Sequence, residues 1–129
     1  MKKIIIETDK APKPIGPYNQ AVLAGDTLYA SGQIALDPET GEFPNFDGDI
    51  VKETERVMKN LGAVLEAAGM SFSHVVKCSI FVTNMDDFAT VNGVYGNYFE
   101  QNPPARETVE VKALPKGAAV EVSCIAVAD

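Results

Sequence analysis

Two periods of apolar residues alternate along this chain, and each switch between them marks an element. Ile4 to Glu7 predicts a short first strand. Lys10 to Pro17 carries three prolines and a glycine, which predicts a loop. Ala21 to Ala24 and Leu28 to Ile34 read as two strands, and Gly25-Asp26 between them suits the tight reversal of a hairpin. Asp37-Pro38-Glu39-Thr40-Gly41 predicts a turn, because proline presets φ and glycine tolerates the left-handed conformation. From Asp49 to Ala68 the period lengthens. Ile50, Val57, Leu61, Val64, Leu65 and Ala68 recur at helical spacing, Thr54 fills the gap, and Gly69 supplies the stop. His74 to Val82 is β-branched and alternating, which predicts a strand. Asp86 to Phe99 returns to helical spacing through Phe88, Val91, Tyr95 and Tyr98, and Asn102-Pro103-Pro104 ends it. Thr108 to Val111 and Ala119 to Val127 read as the last strands, separated by Leu114-Pro115-Lys116-Gly117.

The order β, β, β, α, β, α, β, β predicts one two-layer α+β domain over residues 1–129. A mixed sheet of about six strands would carry both helices on one face. The other face is then the informative one. On the last strand Val120, Val122, Cys124 and Ala126 share a side, against Glu121, Ser123, Ile125 and Val127. In the central strand Lys77, Ser79 and Phe81 oppose Val76, Cys78, Ile80 and Val82. In the earlier one Tyr29, Ser31 and Gln33 oppose Leu28, Ala30, Gly32 and Ile34. A helix-free face this mixed differs from a solvated, charged one and predicts a contact between subunits.

Composition narrows the partners. A net charge of −7 with scattered basic residues would repel a phosphate backbone, so nucleic acid is not expected. The start, with Lys2-Lys3 before only three isoleucines, is too short for a signal peptide or a membrane span. A cytoplasmic protein without a membrane partner is expected. Cys78 and Cys124 lie in apolar segments with no Cys-x-x-Cys, which suggests two buried, reduced thiols.

Candidate chemistry is sparse. The single histidine, His74, stands at a predicted strand start beside Ser73, where a capping or surface role is the simpler reading. No phosphate loop, Gly-x-Ser-x-Gly elbow or metal-ligand spacing occurs, so no cofactor and no metal is implied. Arg106 stands between the stiff Pro103-Pro104-Ala105 segment and the strand from Thr108. A guanidinium presented this way can hold a carboxylate through two parallel bonds. The alternative is an exposed arginine paired with Glu107, Glu110 or Glu121. Tyr18, after Gly16-Pro17, is either a ligand hydroxyl or packing with a wet tip. Gly32, between Ser31 and Gln33, marks a close backbone approach or a bulge. Glu121, among apolar residues, pairs with a base or handles a proton.

Taken together these segments resemble one family. Ile15-Gly16-Pro17-Tyr18, Leu28-Tyr29-Ala30-Ser31-Gly32-Gln33-Ile34, Asp87-Phe88-Ala89-Thr90-Val91-Asn92, Pro104-Ala105-Arg106 and Val120-Glu121-Val122 follow the order and spacing of RidA (YjgF) proteins. The resemblance runs over essentially the whole chain. It implies a chorismate-mutase-like fold and a homotrimer with ligand clefts between subunits. It implies a 2-iminobutanoate/2-iminopropanoate deaminase, which hydrolyses reactive enamines and imines such as 2-aminoacrylate to 2-keto acids and ammonia. By this resemblance Arg106 holds the substrate carboxylate, and Glu121 orients or activates the attacking water. Tyr18 closes the pocket, Gly32 allows close backbone approach, and Asn92 with Phe88 lines the cleft. The backbone carbonyl of Thr108 is placed to bond the water or the imine. A small 2-imino or 2-keto acid is the expected partner.

Two positions depart from the family pattern. Many relatives have a small residue where this chain has Glu107, and many bacterial ones a cysteine where it has Thr108. A Glu107 folded back onto Arg106 would compete with substrate, but strand alternation points it away. A small-carboxylate binder without turnover is the first alternative function. A ribonuclease or translation inhibitor is the second, disfavoured by the acidic surface and the single histidine.

Overall fold

The computed structural model describes residues 2–129; Met1, the first residue of the lysine-bearing start, lies outside them. Six strands and two long helices form in the expected order. They are β1 (Lys3–Ile6), β2 (Ala21–Ala24), β3 (Thr27–Gln33), α1 (Ile50–Ala67), β4 (Val75–Val82), α2 (Phe88–Gly96), β5 (Ala105–Glu110) and β6 (Val120–Val127). The sheet order is β1-β2-β3-β6-β4-β5, antiparallel except for the parallel β4–β5 pair. Both helices cover one face, so the predicted two-layer α+β architecture holds.

The core lies between that face and α1. Val57, Leu61, Val64 and Leu65 meet Val120, Val122, Ile80 and Val82, all buried. The helix starts where the sequence provides a cap: the Asp49 carboxylate accepts the Lys52 amide at 3.1 Å. It ends at Gly69, whose φ of +74° suits glycine. His74 is structural, as its position suggested. Its Nδ1 accepts the Ser71 amide at 3.0 Å, completing a capping box, and its Nε2 meets Asp129 at 3.1 Å. Cys78 and Cys124 are free, buried and directly opposite one another across β4 and β6. Among the described residues no helix is long and apolar enough to cross a membrane.

Four expectations need correction. First, the alternation of β3 breaks at a bulge between Ala30 and Gln33. Gln33 therefore turns into the core and Gly32 onto the helix-free face, the reverse of strict alternation. Second, a register shift between Val75 and Lys77 buries Val75 and leaves Val76 about half exposed, so Val76 does not share the face of Cys78. Third, the strand expected from Thr108 begins at Ala105, placing Arg106 inside β5 rather than ahead of it. Parallel pairing with β4 explains this: Ala105, the first residue after the two prolines with an amide to donate, takes up register with Lys77. The second helix is also shorter than its apolar spacing, because Met85–Asp87 forms a separate 3₁₀ turn before α2.

Candidate functional site

The candidate residues fall into two groups on opposite faces of the sheet. Arg106 projects toward α2. Its Nη1 donates to Asn92 Oδ1 at 2.6 Å. Its guanidinium carbon lies 5.0 Å from the centre of the Tyr95 ring and 5.7 Å from that of Phe88. The order of α2 places these partners, since Phe88, Asn92 and Tyr95 recur at helical spacing. Among the described residues Arg106 makes no ion pair. One neutral acceptor and two aromatic faces thus orient the guanidinium without neutralising it, and further donors remain for an anion. Pro103, Pro104, Tyr95 and Phe99 help to form the adjoining cleft. Thr108 lies two residues along β5, on the same side as Arg106 and half-buried, but it does not line that cleft.

Glu107 alternates to the opposite face. There it pairs with Lys77 at 2.8 Å and accepts a hydrogen bond from Ser79. These two bonds hold its carboxyl below the usual glutamate range. The fold-back onto Arg106 does not occur.

The second group is on the helix-free side. Glu121, half-buried on β6, lines a cavity with Tyr18, Gly32, Lys13, Ile15 and Pro115. Burial raises its carboxyl above the ordinary range. Among the described residues it has no basic partner. Gly32 faces it directly, and a Cβ there would come within 2.7 Å of the Glu121 carboxyl carbon. Gly32 sits in the bulge, the alternative reading of this glycine, and the group over it is a carboxylate of the same chain. The Tyr18 hydroxyl accepts the Ile15 amide at 3.2 Å, and about half of the residue is exposed at the cavity mouth.

Several contributors were not singled out from the sequence. Buried Gln20 ties down the proline loop: its Oε1 accepts the Thr8 amide at 2.8 Å, and its Nε2 reaches the Pro12 carbonyl at 2.9 Å. Tyr95 signalled only helical spacing, yet it is the face on which Arg106 rests. Among the described residues no cluster of His, Cys, Asp or Glu could hold a metal ion.

The scaffold and these groups define a class: a two-layer α+β protein with an unneutralised arginine in one cleft and a raised carboxylate in another cavity. The comparisons then identify the family. The sequence model described as Endoribonuclease L-PSP matches residues 8–128. Protein DfrA of Myxococcus xanthus is 57% identical over 129 residues, covering 98% of this chain and 97% of that protein. The mouse (Mus musculus) 2-iminobutanoate/2-iminopropanoate deaminase is 47% identical over 123 residues, covering 95% and 90%. The crystal structure of E. coli TdcF with bound serine superposes with a TM-score of 0.91 at 40% identity, covering 98% of this chain and 99% of that one. The chain belongs to the RidA (YjgF) family.

Proposed function

We propose that this protein is an enamine/imine deaminase that converts 2-aminoacrylate-type intermediates into 2-keto acids and ammonia. The observation that carries the reading is Arg106, a guanidinium oriented by Asn92 and two aromatic rings and without an ion pair among the described residues. On a chain of net charge −7, attraction for a small carboxylate has to be local, and this is where it is provided. Relatives named 2-iminobutanoate/2-iminopropanoate deaminase supply the reaction class.

The reaction needs little machinery. An enamine such as 2-aminoacrylate first becomes the imine, as its terminal carbon takes up a proton and its nitrogen gives one up. Water adds to the electrophilic imine carbon while a base takes its proton and the imine nitrogen gains one. The tetrahedral carbinolamine then passes its hydroxyl proton through the base to nitrogen and expels ammonia as the C–N bond breaks and the C=O bond forms. Glu121, whose carboxyl is raised by burial, suits both proton steps of the hydrolysis. Arg106 fixes the substrate, which supplies the proximity term. Tyr18 closes the cavity, and the Thr108 carbonyl offers a further acceptor.

One chain does not bring Arg106 and Glu121 together, because they project from opposite faces of the sheet. A homotrimer in which one subunit's Arg106 cleft meets a neighbour's Glu121 cavity would complete the site. The helix-free face supports such an assembly, with Tyr29, Val76 and Val127 exposed on the sheet. The test is to generate 2-aminoacrylate with a dehydratase and follow keto-acid release. Acceleration by the wild type and its loss in Arg106→Ala are expected; full activity in that variant rejects the reading. Light scattering on the eluting peak should give three chains, and a monomer would remove the shared site.

A second reading is a small-acid binder without turnover, favoured by the serine found in the TdcF relative. It predicts that ligand affinity depends on Arg106 while no keto acid is released.

A further inference from the structure

Helix α1 buries three polar side chains: Glu53, Thr54 and Asn60. Two of them reach beyond the helix, one to the backbone just before Glu121 and the other to the segment just after Gly32. The Glu53 carboxylate accepts the amides of Ala119 at 2.7 Å and Val120 at 3.2 Å. Those amides immediately precede Glu121. They also follow a strained turn, where Lys116 takes a φ of +60° and Gly117 of +71°. Asn60 Nδ2 donates to the carbonyls of Ile34 and Leu36, each at 3.0 Å. That segment directly follows Gly32 and Gln33, and Ile34 and Leu36 line the same cavity. Glu53 and Asn60 are seven residues apart, two turns along one face of α1, about 10 Å along its axis. A single helix therefore contacts the start of β6 and the segment after β3.

The Glu121 side chain lies over Gly32, with its carboxyl carbon 2.7 Å from where a Cβ on that residue would stand, so a shift of β6 relative to β3 would move the carboxylate relative to Gly32. The 3₁₀ turn of Pro115–Gly117 is closed by one bond, from the Ala118 amide to the Pro115 carbonyl at 3.1 Å. The start of β6 is held by β4, through the Thr83 amide on the Ala119 carbonyl at 3.1 Å and the Val82–Val120 pair. The Glu53 carboxylate adds a contact from the helix side to the amides of Ala119 and Val120. A buried carboxylate is also an expensive way to make a purely structural contact, since desolvation disfavours it and two amides only partly offset that. We infer that Glu53 is a positioning residue, whose two amide bonds set Glu121 against Gly32 and so fix the geometry of the proposed water-activating step.

The kinetic part of this inference rests on the deaminase reading; the structural part does not. Glu53→Ala is expected to lower kcat about 10–100-fold, the usual consequence of misplacing a catalytic group by about 1 Å. KM should stay within about threefold, because Arg106 on the other face still anchors the carboxylate. Glu53→Gln keeps an oxygen acceptor for both amides and should restore most of kcat. Circular dichroism at the assay temperature confirms that each variant is folded. Where Glu53→Ala does not fold, Glu53→Asp withdraws the carboxylate by one methylene and should give the same split at smaller amplitude. In parallel, the amide resonances of Gly32 and Glu121 in ¹⁵N-labelled protein should shift in Glu53→Ala or Glu53→Asp and remain near wild type in Glu53→Gln. A folded Glu53→Ala with wild-type kcat overturns the inference, as does a Glu53→Gln as impaired as Glu53→Ala. Wild-type protein without turnover rejects the deaminase reading instead, and the resonances alone then decide: unmoved Gly32 and Glu121 signals refute the positioning role.

Discussion

The Arg106 cleft and the Glu121 cavity sit on opposite faces of one sheet and are built by opposite means. Arg106 is held from its own side by α2, through one short bond to Asn92 and two aromatic faces. Its neighbours arrive at helical spacing from a single element, so the cluster is local in space and nearly local in sequence. Glu121 stands on a strand paired with β3 on one side and β4 on the other and gripped at its start from behind, by α1, through contacts that span more than sixty residues of chain. The first arrangement presents a charge and leaves it available. The second presents a carboxylate that is half-desolvated, faces a glycine and, among the described residues, makes no ion pair. An anchor needs constant charge and several donors, which arginine supplies at any physiological pH. A proton-transfer group needs a displaced pKa and a fixed distance, which burial and a tight wall supply.

The largest expected effect breaks the anchor. Arg106→Ala should lower kcat/KM by about 10²–10³-fold, as expected for removing one partner of a desolvated charge pair. Arg106→Lys should recover only part, since a point charge cannot form the two-pronged contact. Steady-state keto-acid release with varied substrate measures both. A next-largest effect isolates the other region. Glu121→Gln should lower kcat about 10²-fold, the ordinary size of a general-base contribution. Affinity for a non-reacting 2-keto acid, measured by calorimetry, should hardly change. If that affinity falls as it does in Arg106→Ala, the division of labour between the two faces is wrong.

Acidity sharpens the same contrast. Burial raises the Glu121 carboxyl, so its proton is retained to a higher pH than on an ordinary glutamate. Activity needs the deprotonated base. It should therefore be full above the raised value and fall as pH drops through it, approaching tenfold per unit on the acid limb. The limb should disappear in Glu121→Gln, leaving a low, flat profile. A profile whose acid limb survives that substitution assigns the base elsewhere.

Sequence pattern revealed the layers more readily than the site. The glycine-stopped α1, the hairpin of β2 and β3, and the capping role of His74 depend on neighbours within a few residues, and all were legible. Bulges were not. Nothing in the alternation of β3 announces that Gln33 turns inward and Gly32 outward, because a bulge is a property of two strands in register. Arg106 was singled out, but its setting was misread: parallel pairing with β4 starts the strand at Ala105. Glu53 and Asn60 were invisible for the same reason. On a helical wheel a glutamate and an asparagine belong outside, and only distant amides and carbonyls, 24 to 67 residues away, bring them in.

The smallest expected effect concerns the residue beside the anchor. Glu107 neighbours Arg106 in sequence and would compete with substrate if the two shared a face. They do not. β5 alternates, and Glu107 is engaged by Lys77 and Ser79 on the helix-free side. Both contacts are exposed, and exposed pairs contribute little. Glu107→Gln should therefore leave KM and kcat within about twofold of wild type, the change an uninvolved exposed charge can make at ordinary ionic strength. A marked fall in KM would mean that Glu107 visits Arg106 in solution and that the anchor is partly self-occupied. The salt dependence of KM separates the cases. Competition by a neighbouring carboxylate would give a marked difference at low salt that shrinks as salt rises, whereas two faces that act independently should differ by no more than about twofold at every ionic strength.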